Sequence, residues 1–162
     1  MLSAGVMATP PCLTADNYEH QFGKNHVGHV LLTKLILPTF LHTATFALSS
    51  HGHIYAAQPD VIEFSTLKTT GETLGPFGRY DQRKLGIVLW ARKMTASYPQ
   101  FTLASVYPGI VRTKLMSGAT WSNCMVRVLG KGADRIVTPV DQGAKNRLWA
   151  SVAKRICSGA YY

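Results

Sequence analysis

The chain has 162 residues, 46% apolar and 15% charged, which is one domain's worth of sequence with enough apolar material for a single core, and excludes a disordered tail. Its 14 Gly and 8 Pro follow no period, which excludes collagen-like and repeat architectures. The formal charge of +9 comes from 17 Lys+Arg against 8 Asp+Glu, but the cations stand singly or in pairs such as Arg92-Lys93, so a solvated basic surface is expected and no nucleic-acid partner.

In chain order, Leu2 to Met7 reads as a short buried strand ending at Thr9-Pro10-Pro11, where proline cannot donate to a ladder. From about Ala15 to Leu41 the residues Phe22, His26, His29, Val30, Thr33, Leu37 and Phe40 recur at spacings of three and four. That spacing predicts one long helix with this face on the core and Lys24 and Lys34 toward water. Thr14 and Asp16 are the candidate caps. Phe46 to Ser50 is the next strand, closed by His51-Gly52-His53.

Ile54 to Gly78 carries Pro59, Gly71, Gly75 and Pro76 and is expected to be a long irregular connection with one helical turn near Val61 to Leu67. Helical spacing returns from Arg79 to Ser97 and stops before Pro99. Phe101 to Tyr107 is then a strand, ended by Pro108-Gly109, and Pro139 opens a last helix through Gly143-Ala144. Strands alternating with long helices predict a parallel α/β sheet.

Cys12, Cys124 and Cys157 are too few and too scattered for a disulfide framework or a zinc ribbon, so a reducing, cytoplasmic setting is expected. His26 and His29, three apart, lack the glutamate and third ligand of a zinc helix, so no metal is expected. The start has no basic region ahead of an apolar run. Val30 to Phe46, the greasiest stretch, is interrupted by Lys34, Pro38 and His42, which argues against a transmembrane segment.

Tyr80 and Lys84, four apart, fall on one helix face. A phenol with an ordinary pKa of about 10 is a poor acid-base group at neutral pH, and a neighbouring lysine ammonium brings it into range. Ser50 closes the preceding strand, Asn25 lies in the preceding helix, and Pro108 to Thr113 ends the following strand. The carboxyl ends of neighbouring parallel strands share the sheet edge where ligands bind.

With these residues in place, the chain resembles the central and C-terminal part of a short-chain dehydrogenase/reductase, of the retinol-dehydrogenase-like and WW-domain-oxidoreductase-like branch. Ser3-Ala4-Gly5 stands for the family's N-A-G, Asn25 to Thr33 for N-H-x-G-H-F-L-L-T, and Leu48-Ser49-Ser50 for V-S-S. Tyr80 to Leu85 stands for Y-x-x-S-K-L, Tyr107 to Thr113 for H-P-G-x-V-x-T, and Thr138-Pro139 through Gly143-Ala144, one residue longer, for T-P-x-x-G-A.

The resemblance implies a single incomplete Rossmann-type domain over residues 1–162, a doubly wound parallel sheet flanked by helices that lacks the first βαβ units. It implies Tyr80 as proton donor and acceptor, Lys84 as the group that lowers its pKa and holds the nicotinamide ribose, Ser50 orienting the substrate oxygen, and Asn25 completing a proton relay. Val111 and Thr113 would meet the nicotinamide end of NADP, or of NAD, while a small apolar alcohol or carbonyl is the implied substrate.

Three departures qualify this. The glycine-rich T-G-x-x-x-G-x-G turn is absent, which predicts weak anchoring of free dinucleotide. Tyr107 replaces the family's histidine, and Arg83 sets a second cation beside the Tyr80–Lys84 pair. Uncovered helix faces and a bare sheet edge would favour pairing with a second copy. Two other readings stay open: an interaction subunit without redox activity, and a cofactor-free isomerase or cyclase using the same acid-base groups.

Overall fold

The computed structural model describes residues 2, 4–42, 47–51, 62–107, 109, 111, 138–153 and 155–162. Of the expected strand Leu2 to Met7, Leu2 makes a bridge and packs its side chain with Phe101 and Leu103, while residues 4–7 are outside any strand. No ladder runs through residues 4–7 because a side chain takes the neighbouring strand's place: Asn25 Nδ2 donates to the carbonyl of Val6 and Asn25 Oδ1 accepts its N–H, both at 2.8 Å.

The first helical rod starts later than its periodicity suggests. Asn17 adopts a left-handed φ of 58°, and Thr14 Oγ1 accepts the Tyr18 amide inside the turn. The cap is therefore neither Thr14 nor Asp16 but Glu19, whose carboxylate accepts the Phe22 N–H at 2.7 Å. The rod comprises α1 (His20–Phe22), a π-helical turn (Gly23–Val27) and α2 (Gly28–His42). Its core face carries Phe22 and Thr33, with Lys24 and Lys34 exposed, as the spacing predicts.

Strand β1 (Ala47–His51) pairs in parallel with β2 (Thr102–Val106), Ser50 opposite Ser105. On the other side of β2 the chain end runs alongside: the Ser105 amide donates to the Ala160 carbonyl and the Tyr162 amide to the Ser105 carbonyl, at 3.0 and 2.8 Å. Between the strands lie 3-10 turns at Phe64–Thr66 and Glu72–Leu74 and the long helix α3 (Gly75–Ser97). Gly75-Pro76 belongs to that helix rather than to the irregular connection, since proline in a first turn loses no intrahelical bond. The last helix, α4, spans Val140–Val152.

Helices α3 and α4 both pack on the two strands, and α1 packs across α3. This crossover of helices between parallel strands is the partial Rossmann arrangement expected from the alternating pattern. Among the described residues no helix is long and apolar enough to cross a membrane.

Candidate active site

Helix α3 carries Tyr80, Arg83 and Lys84 at the i, i+3, i+4 spacing that stacks side chains on one face. The Arg83 guanidinium carbon lies 4.0 Å from the centre of the Tyr80 ring, and Lys84 Nζ lies 5.1 Å from it. All three are buried, at 5%, 3% and 5% exposure. The Tyr80 phenol favours the charged form of Arg83. A cation over an aromatic face is attracted by the ring quadrupole, more strongly where water is excluded.

Burial acts unequally on the two basic groups. Loss of solvent pushes the Lys84 amine down to about 6, and the Arg83 and Arg147 cations push the same way. Loss of solvent also lowers Arg83, but only to about 10, because Tyr80, Glu19 and Asp81 favour its charge. Burial thus lowers the lysine amine much further than the guanidinium. Burial raises the Asp81 carboxyl to about 6 against the pull of Arg83.

Asn25 sits fully buried in the π-helical turn rather than in regular α-helix, a local widening that often occurs at functional positions. Gly5 is the meeting point with α3: a Cβ there would stand 2.9 Å from Asn25 Oδ1 and 3.2 Å from Arg83 Nη1. The Asn25 amide and the Arg83 guanidinium thus flank one stretch of glycine backbone. His26 and His29 follow on the same rod. Burial is the largest cause lowering both, His26 to about 4. Among the described residues no group of three or more metal-ligating side chains forms.

The structure brings Tyr80, Lys84 and Asn25 to one region, with Arg83 between them. Ser50 is placed by register at the end of β1, opposite Ser105. Val111 makes a parallel bridge with Thr138, and its side chain fills the space a Cβ on Gly143 would need. That contact gives the glycine of the T-P-x-x-G-A stretch a physical reason. Thr113, and the segment from Trp121 to Leu129 that includes Cys124, lie outside the described residues.

Sequence reasoning missed Arg147, four residues beyond Gly143 and hence on the same helix face, whose charge acts on Lys84. It also missed the buried ion pair of Glu19 with Arg79 at 3.4 Å. Nothing in the spacing of two residues so far apart in the chain announces that contact.

No family model matches the chain. It is 31% identical over 172 residues to "Retinol dehydrogenase 13" of Homo sapiens, covering 99% of this chain and 50% of that protein. It is 30% identical over 164 residues to "Polyprenol dehydrogenase" of Homo sapiens, covering 95% of this chain and 48% of that one. The chain thus spans about half the length of the curated relatives it matches. Among solved structures, salutaridine reductase from Papaver somniferum superposes with a TM-score of 0.64 at 17% identity, over 89% of this chain and 54% of that one. A 4-hydroxyisoleucine dehydrogenase mutant complexed with NADH and succinate superposes with a TM-score of 0.63 at 14% identity, over 98% and 63%.

Proposed function

We propose, from a chain that is a short-chain dehydrogenase/reductase by its sequence relatives and its fold, that it acts as an NADP(H)-dependent oxidoreductase interconverting an alcohol and a carbonyl on a small apolar substrate. The observation that carries this reading is the buried stack of Arg83 and Lys84 against Tyr80 on α3.

The residues present fit the nicotinamide-ribose end of such a cofactor. Arg83 Nε and Nη2 are buried donors without a hydrogen-bond acceptor, and buried donors call for an oxygen-rich partner. Lys84 and Tyr80 would hold the ribose hydroxyls, with Val111 and Thr113 beside the ring. A nicotinamide held there would supply or accept the hydride that balances the reaction.

This chain's own groups manage the proton. In carbonyl reduction the Tyr80 hydroxyl gives its proton to the substrate oxygen, and in alcohol oxidation the phenolate takes it. Ser50 holds that oxygen by a hydrogen bond, and Asn25 anchors the helical turn behind the site through Val6. The low dielectric around Tyr80 strengthens each of these interactions. The exposed row of Leu31, Leu32 and Leu35 on α2 supports association with a second copy through the helices.

Tyr80→Phe removes the transferable proton while keeping the ring. It is expected to lower NADPH-dependent reduction of apolar ketones and aldehydes by the purified chain about 10²–10⁴-fold, followed as loss of NADPH absorbance. Unchanged turnover in that variant, or no reduction by the wild type across a broad carbonyl panel, would reject the assignment. Activity on a ketone or enol that persists with all nicotinamide removed would instead support the isomerase reading.

A further inference from the structure

We propose that Arg83 binds an oxyanion, the phosphoryl or carboxylate group of a ligand of the Tyr80 site, on one edge of its guanidinium. The inference deepens the reading of that site given above and rests on it for the source of the anion, while the binding itself asks nothing of turnover.

The first observation is which donors lack a partner. Arg83 is 3% exposed, and its Nε and Nη2 are buried without a hydrogen-bond acceptor. Those two nitrogens share one edge of the planar group and point their N–H bonds the same way, the fork that takes two oxygens of a single carboxylate or phosphate. Buried polar groups in folded proteins are nearly always bonded, so an unbonded fork calls for an acceptor from outside the chain. Arg83 also stands where the family's Y-x-x-S-K-L has a serine, which makes the fork a property of this chain.

The second observation is how the group is held and from where it is reached. Its guanidinium carbon lies 4.0 Å from the centre of the Tyr80 ring, one helical turn from the proposed acid-base group. Its Nη1 lies beneath Gly5, where a Cβ would stand 3.2 Å from that nitrogen and 2.9 Å from Asn25 Oδ1. Ala4 and Gly5 are exposed, so the backbone without a side chain is the side on which an anion approaches. The acidic groups that act on Arg83 are Glu19 and Asp81. Glu19 is paired with Arg79 at 3.4 Å, and Asp81 stands two residues back on α3, a spacing at which side chains do not face each other.

Calorimetric titration of the purified chain with inorganic phosphate and, separately, with acetate, at an ionic strength fixed with chloride, tests this. Saturable binding of at least one of them is expected. Arg83→Gln, which removes charge and fork, should weaken it at least about tenfold, and Arg83→Lys, which keeps only the charge, should recover part of that loss. Lys93→Gln, exposed on the same helix, should bind as the wild type does. No saturable binding of either anion would overturn the proposal, as would full affinity in Arg83→Gln or Arg83→Lys, or a loss in Lys93→Gln as large as that in Arg83→Gln, which would mark diffuse charge alone. If Arg83→Gln does not fold, the Nε–H resonance of Arg83 in the ¹⁵N-labelled wild type, assigned by its absence from Arg83→Lys, decides: it should move with the bound anion, and a stationary resonance would overturn the proposal. Displacement of the anion by NADPH would assign the oxyanion to the dinucleotide, and simultaneous binding of the two to the substrate, Arg83 holding it in both cases. Turnover that survives Tyr80→Phe would sink the oxidoreductase reading and leave these titrations to stand or fall separately.

Discussion

Glu19 and Arg79 show how a single contact can hold this molecule to one arrangement. Arg79 Nε lies 3.4 Å from Glu19 Oε1 and both side chains are nearly fully buried, the two facing atoms making an ion pair without a hydrogen bond. Arg79 Nη2 donates to the Thr9 carbonyl at 2.8 Å, and Glu19 Oε2 accepts the Phe22 amide at 2.7 Å. Removing water from two ions costs several kcal/mol, repaid only when such bonds are complete. Arg79→Met, which strands the carboxylate, is therefore expected to lower the free energy of unfolding by about 3–5 kcal/mol, read from the urea midpoint. The double variant Glu19→Gln/Arg79→Met should lose clearly less than the sum of the two single losses, and strict additivity would show the two charges to be independent.

At the scale of elements, close approach matters more than propensity. Helix α4 reaches Val111 because Gly143 has no side chain, and a Cβ there would collide with both methyl groups of the valine. Gly143→Ala is expected to cost about 1–3 kcal/mol by overpacking, and Val111→Ala in the same chain to recover part of it, both followed by thermal unfolding. Helices and strands were legible from the chain to the extent that their side chains face a core. The 3.6-residue spacing of Phe22, His26, Val30, Thr33 and Leu37 marks the inner face of the first rod, on which Phe22 and Thr33 are buried and the other three half-buried. The rod's start was not legible, because a left-handed Asn17 and the Glu19 carboxylate set it, neither of which alters hydrophobic period. The π-helical turn at Asn25 was hidden for the same reason: a side chain bonded to a remote backbone leaves no trace in periodicity. Pro76 misleads as a breaker because its place in a first turn depends on where the helix begins.

For the molecule as a whole, buried ionisable groups make stability a function of pH. Lys84 binds its proton with a pKa of about 6 folded against 10.5 in the open chain, so between those values the unfolded state holds more protons and stability rises with pH. His26, lowered to about 4 from 6.5, withdraws stability as pH falls through that window. Asp81, raised to about 6 from 3.8, works oppositely, its contribution present below 3.8 and lost as pH climbs through 6. The urea midpoint is thus expected to change little between pH 4 and 6 and to climb from pH 6.5 to 9. Lys84→Met should flatten that climb and stabilise the neutral-pH protein, by on the order of a few kcal/mol. A midpoint that falls across pH 6.5 to 9 would contradict the burial of the amine.

The order of the elements and their parallel pairing were legible because strand-like runs alternate with long helical spacings along the chain. The electrical character of the site was not legible, since it depends on which side chains lose their water.

The hydrogen bonds around Arg79 carry one consequence beyond stability. Thr9, Glu19, Gly71 and Arg79 are tied at one buried point, the Glu19 amide is held by Leu67, and Gln21 bridges the Ala8 amide to the Pro76 carbonyl. None of these segments can loosen without breaking the others' bonds, so the N-terminal loop, the first turn of the rod and the base of α3 form one cooperative unit that opens together or not at all.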